Sequence, residues 1–156
     1  MTRVLLVCMA NVCRSPTALT VAKQRVLELG LAKRLEFDSA GTHVPRTGTR
    51  IDPRAATVLA SRHYKPAKTR SRQISAQDFQ RFDLIVAMDR ANLLALQKQC
   101  APQQLDKLHL LLDFAPKLGL REVPDPYYGS LAGFERVLDL CEAGLDGLIG
   151  AQTRAL

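Results

Sequence analysis

Cys8 and Arg14 bracket the loop Cys8-Met9-Ala10-Asn11-Val12-Cys13-Arg14-Ser15, which directly follows the apolar run Val4–Val7. Pro16 comes next, and a segment with helical periodicity begins there. A strand thus delivers a cysteine to a tight loop whose backbone N–H groups feed a helix N-terminus. Unpaired N–H groups and the helix dipole both favour negative charge, so the loop is a cradle for a tetrahedral oxyanion. At its centre the sulfur is favoured as a thiolate, which is the nucleophilic form. Arg14 brings a planar fork of donors matched to two phosphate oxygens, and it stays charged at any relevant pH. The amides of Met9, Ala10, Asn11, Val12, Cys13 and Arg14 are the expected phosphate donors. The Ser15 hydroxyl, at the helix entrance, can donate to the Cys8 sulfur. Together these residues imply attack by sulfur on a bound phosphate.

A second group lies far along the chain. Asp125 sits in Pro124-Asp125-Pro126, a turn former on its own terms. Brought to the loop, it could protonate a departing oxygen and later take a proton from attacking water. The flanking prolines restrict the backbone that presents it.

Alternating strands and helices must position these groups. Val4–Val7 reads as a buried parallel strand, and Thr17–Leu29 as an amphipathic helix stopped at Gly30. Leu35–Asp38 is a short strand. Pro53–Arg62 is a helix with Asp52 as N-cap, and Ser75–Phe79 starts another. Asp83–Met88 is a third strand, Asp89 caps a helix to Gln99, and Leu108–Leu111 is a fourth strand. Leu131–Ile149 carries a final apolar stripe, interrupted by Gly144 and Gly147. The order predicts a single α/β domain over 1–156: an open, parallel, four-stranded sheet with helices on both faces and a phosphate-binding loop after the first strand. Binding sites in such sheets lie at the carboxyl ends of strands, where Cys8 stands.

Composition fits a globular protein of one domain, with 156 residues, 47% apolar and 24% charged. No apolar run reaches the ~20 residues of a membrane span, and the stretch after Arg3 is too short for a signal peptide. Four cysteines without such a signal predict reduced thiols and a cytoplasmic setting without membrane insertion. The net charge of +7 favours anionic partners. Nucleic acid would satisfy that charge, but no nucleic-acid-binding motif accompanies it.

The loop resembles that of the low-molecular-weight protein tyrosine phosphatases, whose pattern is V-C-x-G-N-x-C-R-S-P. Further matching pieces follow in order: Asp38-Ser39-Ala40-Gly41-Thr42, Asp52-Pro53-Arg54, Arg72-Gln73-Ile74, Phe82-Asp83-Leu84-Ile85 with Met88-Asp89, and Asp125-Pro126-Tyr127-Tyr128-Gly129. The resemblance implies hydrolysis of phosphotyrosine and aryl phosphate monoesters through a phosphocysteine on Cys8. Arg14 and the loop amides would bind phosphate, with Asp125 as general acid and base. It places Tyr127 and Tyr128 on the pocket rim beside the substrate ring, and Ser39 and His63 as supports of Asn11. It makes Cys13 a redox partner that captures oxidised Cys8 in a reversible disulfide. It implies no metal and no cofactor, since the loop and Arg14 already supply the positive field. The bacterial look of Asp-Ser-Ala-Gly-Thr-His implies a phosphotyrosine protein substrate and a role opposing a tyrosine kinase. Asn11 suits a left-handed backbone.

Two departures stand out. Ala10 replaces the usual glycine, and a negative φ is expected there, because a strained loop would misplace its donors. His43-Val44-Pro45-Arg46-Thr47 lacks the aromatic that many members use to clamp the substrate ring. Two alternatives share parts of the pattern. A thioredoxin-coupled arsenate reductase needs two further relay cysteines, and their usual region, Leu84–Leu93, has none. Cys100 and Cys141 are expected core residues. A non-catalytic phosphotyrosine or nucleic-acid-binding module would not require Cys8, Arg14 and Asp125 together.

Overall fold

The computed structural model describes residues 1–155; the last residue of the expected domain, Leu156, lies outside them. Four parallel strands form one sheet in the order β2-β1-β3-β4: β1 Thr2–Cys8, β2 Leu35–Gly41, β3 Leu84–Ala87 and β4 Leu108–Leu110. The chain crosses to opposite sides of β1 for β2 and β3. The end of β1 is therefore the point where strand order reverses, and ligands settle there in open α/β sheets.

Both faces of the sheet are covered because β1 alternates its side chains between two cores. Val4 and Leu6 join a cluster with α1 (Arg14–Glu28), α2 (Pro53–Ser61) and α5 (Leu131–Ala155). Leu5 and Val7 join the opposite cluster, with Phe79 of α3 (Asp78–Arg81) and Leu96 of α4 (Arg90–Gln99). Asp52 caps α2 by accepting from Arg54 N, and Asp89 forms a reciprocal capping box with Asn92 on α4. Gly30 ends α1 at φ 69°.

Several elements differ from what the sequence predicts. The helix expected from Ser75 is one turn, Asp78–Arg81, because the Asp78 carboxylate accepts from Ser75 N and closes a turn ahead of it. α5 continues beyond Ile149 to Ala155. Its Gly144 and Gly147 lie against Leu111 and Phe114, where a Cβ on Gly147 would run into the Phe114 carbonyl. Those glycines give the helix its close approach to the 3-10 turn Leu111–Phe114. Two further 3-10 segments, Pro102–Lys107 and Pro116–Leu118, had no periodic signal. Among the described residues, no helix is long and apolar enough to cross a membrane.

Candidate active site

The loop after β1 bends around its own donors. Among the described residues, none accepts from the backbone N–H groups of Met9 to Arg14. Cys13 occupies the N-cap of α1 without a capping side-chain bond, and the first turn holds no acid. The orphan amides of the helix start are thus left for a ligand. Cys8 lines the same pocket as this loop and is 3% exposed. Its sulfur lies 3.0 Å from Ser15 Oγ and accepts from Ser15 N at 3.4 Å.

Asn11 sets the direction of those bonds. It adopts φ 60°, the left-handed conformation expected for it, whereas Ala10 stays at negative φ as predicted. The Arg72 backbone N–H, an obligate donor, reaches Asn11 Oδ1 at 3.0 Å. This fixes the amide, so Nδ2 donates to Ser15 Oγ at 2.7 Å and to Ser39 Oγ at 3.0 Å. Ser15 Oγ accepts from Asn11, which leaves its own proton free to point at the Cys8 sulfur 3.0 Å away.

His63 does not take part. It sits exposed just past α2 in a left-handed conformation at φ 67°, its N–H bonded to Ala60 O. The expectation that it supports Asn11 is corrected, because the end of α2 carries it to the surface and Arg72 fills that place. The side chains of Asn11 and Ser15 are also buried behind the loop rather than lining the cleft. Their expected contact with substrate reduces to the Asn11 backbone amide and, through Ser15, a hold on Cys8.

Arg14 is anchored on one side and open on the other. Its Nη1 donates to Asp89 Oδ2 and to the Val123 carbonyl at 3.0 Å. Nη2 lies 3.8 Å from Asp125 Oδ2. Burial works against the charge of Arg14, but Cys8, Asp89 and Asp125 outweigh it and hold its proton more firmly than usual. Asp89 does double duty here: Oδ1 caps α4 while Oδ2 takes Arg14. The sequence shows its capping role; its hold on Arg14 has no local signal.

Val123 brings the distant acid to the loop. Its N–H donates to Met88 O at the end of β3, and its carbonyl accepts from Arg14. Two residues on, the Asp125 side chain remains 43% exposed at the mouth. Its Oδ1 accepts from Tyr127 N at 3.1 Å, which leaves Oδ2 facing Arg14.

A cleft of about 760 Å³ opens over the loop. Its floor is Cys8, Met9, Ala10, Val12, Cys13 and Arg14; one wall is Asp125, Tyr127 and Tyr128; the other is His43, Val44, Pro45, Arg46, Thr49 and Gln73. Tyr127 and Tyr128 meet edge to face at 5.0 Å, and Tyr128 is 99% exposed. Behind Tyr127 the Arg54 guanidinium lies 5.5 Å from its ring and 4.6 Å from that of Phe134. Arg54 is itself held by two bonds to the Asp52 carboxylate, at 3.1 and 2.9 Å. The sequence marks Asp52-Pro53-Arg54 as a helix start and a family match, and carries no local sign of this stacking on Tyr127.

The remaining thiols differ in setting. Burial, with Asp52 and Cys8 nearby, pushes the Cys13 thiol up to about 12, and its sulfur points toward Asp52 Oδ2 at 3.8 Å. Cys141 is fully buried in α5, as expected. Cys100 is only partly buried at the end of α4, where its thiol reaches Ala101 O. Neither lines the cleft. Among the described residues, no group of three or more His, Cys, Asp or Glu side chains is placed to hold a metal ion.

The family model described as low molecular weight phosphotyrosine protein phosphatase matches residues 3–155. A low molecular weight protein-tyrosine-phosphatase of Streptomyces coelicolor is 42% identical over 153 residues, 96% of this chain and 92% of that one. The Homo sapiens low molecular weight phosphotyrosine protein phosphatase is 35% identical, over 88% and 87% of the two chains. A protein tyrosine phosphatase from Entamoeba histolytica, solved with Hepes in its active site, superposes with a TM-score of 0.95 at 37% identity, covering 99% of each chain. This chain, with its cysteine loop at the end of β1, is a phosphatase and belongs to the low molecular weight phosphotyrosine protein phosphatases.

Proposed function

We propose that the protein hydrolyses phosphotyrosine and other aryl phosphate monoesters through a phosphocysteine on Cys8. The observation that carries this reading is the run of amides from Met9 to Arg14, with no acceptor among the described residues, beside a Cys8 sulfur that lies 3.0 Å from the Ser15 hydroxyl. The phosphate's equatorial oxygens would take those N–H groups and the free side of Arg14, so most stabilisation is electrostatic and preorganised. The Cys8 thiolate attacks phosphorus in line and the phenolic oxygen leaves with a proton from Asp125. Asp125 then takes a proton from water, which attacks phosphorus and releases Cys8. The sulfur leaves as a thiolate stabilised by Ser15. Depth favours the phenolic ester: the reacting sulfur lies at the floor, while Tyr127 and Tyr128 stand at the mouth.

The substrate on this reading is a phosphotyrosine protein, and the protein opposes a tyrosine kinase. A cytoplasmic location is supported by four cysteines that are all free thiols. The test is a leaving-group series of aryl phosphates. Cys8→Ser should abolish turnover. Asp125→Ala should cost about 100-fold or more on poor leaving groups and far less on activated esters, in keeping with the usual range for general acids. A uniform loss across leaving groups would remove Asp125 from the acid role. Arsenate turnover with thioredoxin, run beside it, should be absent.

A further inference from the structure

The excess positive charge of this chain falls in one stretch of its sequence. Residues 43–73 hold eight of the 22 basic residues and one of the 15 acidic ones, so the other 14 basic and 14 acidic residues cancel. Residues 43–46, 49 and 73 of this segment line the side of the cleft that lacks the expected aromatic. Within it, Asp52 is taken by Arg54, while Arg62 and Arg72 pair with carboxylates outside the segment. Among the described residues, Arg46, Arg50, Lys68 and Arg70 pair with no carboxylate, and all four are exposed.

The wall is braced rather than loose. Buried Ser71 donates its hydroxyl to Arg46 O at 2.7 Å and accepts from Thr49 N at 2.9 Å. Gln73 holds the same wall through Thr42 O and Val44 N. Arg50 and Arg70 face each other directly across an antiparallel bridge. Two like charges in that position repel; among the described residues no carboxylate pairs with either, and Arg70 donates only to the Gly48 carbonyl, at 3.2 Å. Arg46 connects this pair to the cleft, because it lines the pocket over Cys8.

We propose that Arg46, Arg50 and Arg70, with Lys68 beside them, form a docking surface for carboxylate side chains flanking the phosphotyrosine of an acidic protein segment. The proposal rests on the phosphotyrosine phosphatase reading and adds the sequence context of its substrate. Where aromatic-walled relatives would grip the ring from this side, this wall contributes charge, and selectivity moves from the ring to its neighbours. Such charge complementarity acts on encounter rate and specificity, and it weakens with salt.

The test uses two phosphotyrosine peptides that differ only in flanks, Glu and Asp in one, Gln and Asn in the other. Each kcat/KM is divided by that of free phosphotyrosine for the same enzyme. The wild type should prefer the acidic peptide by roughly tenfold at low salt, shrinking to about twofold at 0.3 M. The variant R46Q/R50Q/R70Q should bring the ratio near one. The control K33Q/R34Q, at the opposite end of the sheet before β2, should keep the wild-type ratio. Equal efficiency on both peptides, with free phosphotyrosine turned over, overturns the docking surface and leaves the phosphatase reading standing. An equal loss in the control pair also overturns it, since net charge alone would then account for the preference. Tight binding of a 20-base-pair DNA at 0.15 M salt, lost in the triple variant and without any peptide preference, reassigns the patch to nucleic acid. Failure to hydrolyse free phosphotyrosine would instead bring down the reading beneath it.

Discussion

Replacing Asn11 separates backbone strain from side-chain bonding, and the structure gives both magnitudes. Its side chain makes three hydrogen bonds, to Ser15 and Ser39 in the interior and to the partly buried Arg72 N–H. At about 1 kcal/mol each, Asn11→Ala should lose about 3 kcal/mol from bonding. The left-handed φ of 60° adds about 1 kcal/mol for a residue with a Cβ and no local polar contact. Asn11→Ala should therefore cost about 4 kcal/mol, and Asn11→Gly about 1 kcal/mol less, because glycine removes the strain but not the lost bonds. In a chain of this size that corresponds to a fall in Tm of about 12 °C for alanine and about 9 °C for glycine. Urea unfolding and thermal melts measure the stability; hydrolysis of free phosphotyrosine measures the loop. Activity should drop in both variants alike, since neither keeps the Ser15 proton aimed at Cys8. Equal stability of the two variants would refute the strain argument. Recovery of activity by glycine alone would refute the claim that Asn11 acts through Ser15.

Arg54 should act through Tyr127, which it backs while standing outside the cleft lining. Arg54→Met should raise KM for phosphotyrosine several-fold with kcat little changed, and Arg54→Lys should rescue only part of it, since lysine cannot make the two-bond grip on Asp52. Loss of kcat with KM unchanged would contradict this. At high pH, Cys13 and Tyr64 should both weaken the fold. Burial pushes each up to about 12, from 9.0 and 10.0, Tyr64 with help from its bond to Glu142. A group that binds its proton more tightly when folded stabilises below its unfolded value and loses that contribution as pH rises through the folded one. The urea midpoint should be flat up to pH 9 and fall between pH 9 and 12, less steeply in Tyr64→Phe; a rising midpoint would reverse the sign. The redox role of Cys13 predicts that wild type regains more activity than Cys13→Ser after peroxide and added thiol, and equal recovery would leave Cys13 as filler behind the loop.

Local chemistry made most of the elements legible from the chain alone. Four strands, the caps at Asp52 and Asp89, the stop at Gly30 and the apolar stripe of α5 are all written within a few residues of where they act. The nucleophile loop was equally legible, because cysteine, amides, Ser15 and Arg14 are contiguous. Where prediction failed, the deciding contact was remote. The break ahead of α3 depends on a carboxylate closing a turn, and the glycines of α5 make sense only against Phe114. His63 was placed by resemblance, and the end of α2 turned it outward.

What the sequence could determine by itself was which groups are able to react and which segments are able to carry them. Their convergence belongs to the tertiary structure. Val123 meets Arg14 across 109 positions, Asp89 meets it across 75, and the Arg72 amide reaches Asn11 across 61. Periodicity and capping are short-range signals with a reach of one or two turns, so no local pattern encodes such pairings. Only the order in which the strands pack brings the end of β3 and the Asp125 segment over the mouth of β1.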